Sequence, residues 1–90
     1  MKIVINECFG GFAVNDNIVK ILNLESRYDL EDDRTNAKLI ELIESGVNVN
    51  DDYSDLVVVE IPDDATDYTI EEYDGWETIL YVLDGKIKRV

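Results

Sequence analysis

The chain has no histidine and only one cysteine, Cys8. Without imidazole there is no histidine triad, no histidine proton relay and no histidine metal ligand. A lone thiol forms no internal disulfide and leaves zinc without a second sulfur. That cysteine usage points to a reducing, intracellular compartment. No stretch approaches the roughly 18 apolar residues of a membrane span. The opening Met1–Glu7 segment is too short and meets a glutamate too soon to read as a secretory signal. A cytoplasmic protein is the expectation.

Positive charge is the other scarcity. Eight lysines and arginines face 21 carboxylates, a net charge of −13. Between Leu39 and Gly85 there are fourteen acidic residues and no base. The bases lie towards the ends: Lys2, Lys20, Arg27, Arg34 and Lys38, then Lys86, Lys88 and Arg89. Such a field repels phosphate backbones and anionic lipid headgroups, which argues against direct nucleic-acid or membrane binding. It attracts a protein with a basic surface, although acidity also simply keeps small proteins soluble. Crowded carboxylates should have raised pKa values, which would make the fold more stable as pH falls from 7 towards about 5.

With 46% apolar residues over 90 positions, the chain can build one core, and residues 1–90 form a single acidic domain. Ile3-Val4-Ile5 suits a strand buried on both faces. Gly10-Gly11 interrupts it, and Phe12-Ala13-Val14 continues as strand. Asn15 or Asp16 caps a short first helix, and Thr35 or Asn36 a second, which Gly46 stops. Leu56–Ile61 is the strongest strand, ended by Pro62. Asp74-Gly75 and Asp84-Gly85, each between apolar runs, mark two hairpins. The spacing predicts an α+β fold, an antiparallel sheet of about four to five strands with two short helices on one face.

Few constellations suit catalysis, and no catalytic, cofactor or metal residues are assigned. Cys8 follows Glu7, which disfavours a thiolate, so it reads as a packed small residue. Gly10-Gly11 lacks the further glycines and lysine of a phosphate loop and reads as a bulge or turn. Were a ligand to bind there, Phe9 and Phe12 would wall it. Asn48, Asn50 and Asp52 alternate as in a calcium loop, but Tyr53 stands where its glycine belongs and Val59 where its glutamate belongs. Carboxylates two apart on a strand lie about 6.6 Å apart on one face. That is close to the roughly 6–7 Å between phosphates implied by duplex charge density, so nucleic-acid mimicry is one reading. Tyr73-Asp74-Gly75-Trp76 puts two rings at a hairpin tip, where interface anchors are often aromatic. Asp63, Asp64, Asp67, Glu71, Glu72, Tyr73, Asp74 and Trp76 are therefore the candidate partner-binding residues.

Lys2-Ile-Val-Ile-Asn-Glu-Cys-Phe-Gly-Gly-Phe12, Arg34-Thr35-Asn36, Val59-Glu-Ile-Pro-Asp-Asp64, Glu72-Tyr-Asp-Gly75 and Tyr81-Val-Leu-Asp-Gly-Lys-Ile87 together resemble a family of small bacteriophage and prophage proteins. The resemblance spans nearly the whole chain and brings no catalytic residues with it. It implies an accessory protein in a bacterial host cell that binds a host protein, with inhibition of a nucleic-acid-handling or defence enzyme as one form of that role. The alternatives are a small-molecule or metal-ion binder and a virion or assembly component. An open edge strand would permit a homodimer.

Overall fold

The computed structural model describes all residues from Met1 to Val90. In chain order the elements are β1 (Lys2–Asn6), α1 (Asp16–Ile21), a 3₁₀ turn (Asp29–Asp32), α2 (Ala37–Glu44), β2 (Leu56–Glu60), β3 (Asp67–Tyr73), β4 (Trp76–Leu83) and β5 (Lys86–Arg89). Two helices and five antiparallel strands make the expected α+β domain. The strands divide between two sheets, a β1–β2 ribbon and a β3–β4–β5 meander.

Burial explains the division. Side chains alternate along a strand, so the unbroken apolar run of β1 needs cover on both sides. Val4 joins Phe12, Val14, Ile18, Leu30, Leu39, Val49 and Leu56 in a core beneath the helices. Ile3 and Ile5 point the other way, against Ile61 and Ile79, with Tyr68, Ile70 and Tyr81 packed around them. The ribbon is thus the middle of three layers, with helices on one face and the meander on the other. The helices cover the ribbon alone, and the outer face of the meander has no layer over it.

Local chemistry sets the element ends. The Asn15 side chain accepts from the Ile18 N–H and Asn36 from the Leu39 N–H, each at 3.0 Å, satisfying amides the helices leave free. Phe12–Val14 does not extend β1; only Val14 keeps a strand-like bridge, to Asn50. Asp74-Gly75 and Asp84-Gly85 both have two positive φ angles, the two-residue turn geometry that matches strand twist. Register follows from them, with Tyr73 opposite Trp76 and Leu83 opposite Lys86. Glu71, Tyr73, Trp76 and Thr78 consequently face outward, while Ile70, Ile79 and Tyr81 face the ribbon.

Candidate protein-binding surface

A buried polar knot fixes the near end of the meander to β1. Asn6, fully buried, donates from Nδ2 to the carbonyls of Cys8 and Gly75 at 2.8 Å each and accepts from the Asp55 N–H at 2.8 Å. Its own N–H donates to Glu77 Oε1 at 2.8 Å. Glu77 also receives both terminal nitrogens of Arg34, at 2.7 and 2.8 Å. The Arg34 guanidinium lies 4.0 Å over the Phe12 ring.

Backbones meet beside the knot. A Cβ on Gly10 would collide with the Tyr53 backbone, and one on Gly75 would stand 2.6 Å from the Gly11 nitrogen. Gly10 therefore serves a close approach between chain segments, in keeping with a structural turn. Phe9 and Phe12 do not form a shared wall: Phe12 is buried, whereas Phe9 projects outward at 64% exposure. There its ring meets Trp76 with centroids 5.0 Å apart and planes tilted by 49°.

Phe9, Trp76 and Tyr73 form an exposed aromatic group at the hairpin end; Tyr73 is 74% and Trp76 38% accessible. With Glu71, Glu72, Thr78 and Arg89 they line a shallow concavity of about 640 Å³. Arg89 crosses from β5 to pair with Glu71 at 3.0 Å. Glu72 turns back to accept the Gly75 N–H.

The eight residues singled out from sequence fall into two places. Glu71, Glu72, Tyr73, Asp74 and Trp76 lie together at the hairpin end. Asp63 and Asp64 sit in the β2–β3 loop, and Asp67 begins β3. Six strand steps separate Asp67 from Tyr73, about 20 Å. The Met1 ammonium bonds Asp63 and holds its carboxyl below the ordinary value.

Two expectations need correction. Cations from outside it do reach the base-free central stretch: Arg34 pairs with Glu77, Arg89 with Glu71, Lys2 with Glu44, Arg27 with Asp51 and the terminal amine with Asp63. Glu77, one of the fourteen acids of that stretch, is buried. The phosphate-like spacing is also unrealised on β3, whose outward positions read Asp67, Thr69, Glu71, Tyr73, so no carboxylates stand two apart. Adjacent Glu71 and Glu72 start on opposite faces.

Phe9, Asn6, Arg34 and Arg89 were not assigned to the site from sequence. Only Phe9 carried a signal, as an aromatic beside paired glycines. Cys8 is half-buried. No three side chains among Cys, Asp and Glu converge to hold a metal ion, and no helix is long and apolar enough to cross a membrane. No family model, curated protein or solved structure matches this chain.

Proposed function

We propose that this is a non-enzymatic binding protein that docks a basic protein partner through the Phe9–Tyr73–Trp76 end of its outer sheet. The observation that carries the reading is the aromatic group itself. Phe9 and Tyr73 are largely exposed and Trp76 partly so, grouped at the end of an uncovered sheet face beside a close backbone seam and flanked by Glu72 and Asp74. An apolar centre with a charged rim is the anatomy of a docking patch, and Trp and Tyr are its usual anchors. Net charge of −13 selects for a cationic partner and accelerates its approach. The family resemblance fits a host protein in a bacterial cell as that partner, with inhibition as the outcome.

The test is photo-crosslinking from position 73 in a bacterial host. A single basic protein should be trapped, and the purified pair should bind more weakly as salt rises. Tyr73→Ser with Trp76→Ser should lower affinity at least tenfold, about 1.4 kcal/mol. Asp63→Asn with Asp64→Asn, at the distant loop, should leave it nearly unchanged. The opposite ranking would move the surface to that loop.

A homodimer is a second reading, because β3 and β5 are both open edges. Like-edge pairing is opposed by charge: β5 would set Lys86, Lys88 and Arg89 against their own copies, and β3 would do so with its acids. Sedimentation as a monomer at low salt is the expected result.

A further inference from the structure

We propose that the Phe9–Tyr73–Trp76 concavity recognises an arginine side chain of the partner protein, an inference that rests on the docking surface just described. Its lining combines aromatic faces with carboxylates, and each attracts a guanidinium in a different way. Rings draw a cation to the negative potential of their faces. Carboxylates accept its N–H groups in pairs. The planar guanidinium can do both at once and is weakly hydrated, whereas a lysine ammonium is compact and holds its water tightly.

The chain already places one guanidinium at this site. Arg89 reaches across from β5, with Nη1 3.0 Å from Glu71 Oε1 and 3.4 Å from the Thr78 hydroxyl. It occupies the Glu71 side and remains 61% exposed, so the contact is a loose one. On the other side, Trp76 and Phe9 pack on each other, while the cation–ring contact of this protein is Arg34 over Phe12. The Glu72 carboxylate, which accepts the Gly75 N–H through Oε1, has its second oxygen left for an incoming donor. The geometry is that of a two-sided notch with one side filled from within. An incoming arginine would stack on the ring side, bond Glu72 and compete with Arg89 for Glu71.

The experiment uses Trp76, the only tryptophan, as its reporter. The intact protein is titrated with a capped Val-Thr-Arg-Thr-Val peptide while emission is followed. Parallel titrations replace the arginine with citrulline, which keeps the shape but not the charge, or with lysine. A saturable change is expected for arginine, with citrulline and lysine at least fivefold weaker. Glu72→Gln should weaken the arginine peptide threefold or more. Arg89→Gln should strengthen it at least twofold by releasing Glu71. Lys86→Gln makes the same change in net charge outside the notch and should do neither. Circular dichroism verifies that each variant is folded.

Equal binding of citrulline and arginine peptides, or no emission change up to about 10 mM peptide, overturns the arginine assignment. If the trapped partner still depends on Tyr73 and Trp76, the docking surface stands without it. If the partner ignores those residues, both fall.

Discussion

Arg34 and Glu77, from a loop and a strand far apart in sequence, meet as a two-pronged ion pair with side chains only 10% and 7% exposed. Two parallel charge-assisted bonds make this the strongest single polar link between the helical layer and the meander. Removing one partner leaves a buried charge uncompensated, at a cost of about 3–5 kcal/mol. A domain of this length has about 5–13 kcal/mol in total. Glu77→Gln or Arg34→Ala should therefore lower the urea midpoint sharply. Replacing both, as Arg34→Met with Glu77→Leu, should recover a large part of the loss. If the double variant is no better than the singles, burial of the ion pair is not what the fold depends on.

The two hairpins provide an internal control. Gly75 and Gly85 occupy equivalent left-handed turn positions, at φ of 91° and 73°. Space around Gly85 is open, but a Cβ at Gly75 would press on Gly10 and Gly11. Gly85→Ala should cost about 1 kcal/mol from the backbone conformation alone. Gly75→Ala should cost about 1–3 kcal/mol more through overlap. Denaturant midpoints decide the ranking, and equal costs would mean that the seam yields easily.

Asn6 uses both its amide hydrogens and its oxygen inside the core. Asn6→Ala removes the partners of three part-buried backbone groups, at up to about 1–3 kcal/mol for each that water does not reach. Asn6→Asp should be worse, because a carboxylate cannot donate to the Cys8 and Gly75 carbonyls and would sit near Glu77. Faster amide exchange at Asp55 in either variant would confirm the loss.

Acid stability follows from two carboxylates held below their ordinary values. Asp29 accepts first the Glu25 N–H and then the Ser26 hydroxyl, and Asp63 accepts from the Met1 ammonium. At these sites the unfolded chain binds protons more readily than the folded one. Their stabilisation is complete above the unfolded value near 3.8 and fades as pH falls through the lower folded values. The melting temperature should fall below about pH 4, and the fall should shrink in Asp29→Asn. At these two sites, local hydrogen bonds prevail over the rise expected from crowding. Lys2 behaves oppositely: its bond and attraction to Glu44 raise its value, so its contribution is lost only as pH climbs past 10.5. A flat acid limb would contradict the Asp29 and Asp63 contacts.

Features written over a few residues were readable from sequence. Asn15 and Asn36 cap helices because a short amide side chain reaches an amide three positions on. Both Asp-Gly turns formed because that dipeptide tolerates two positive φ angles. Ile3-Val4-Ile5 announced burial on both faces. The partition into two sheets was not readable, since it depends on which layer covers each side of β1. Nor was the link from Arg34 to Glu77, because charge spacing in sequence says nothing about which loop folds over which strand. The acidic stretch looked free of cations for the same reason. Of the candidate surface, Tyr73 and Trp76 were visible through their hairpin, while Phe9 required knowing that Gly10 brings its loop against the turn.

One strand of the middle layer, β1, is made long before the strands that enclose it. Ile3 and Ile5 leave the ribosome more than seventy residues before Ile79, which seals them. At a translation rate of about 5–20 residues per second, those isoleucines wait several seconds without their lid. Until then the nascent chain offers sticky β-forming sequence to its surroundings, with dense like charge the main deterrent to clumping.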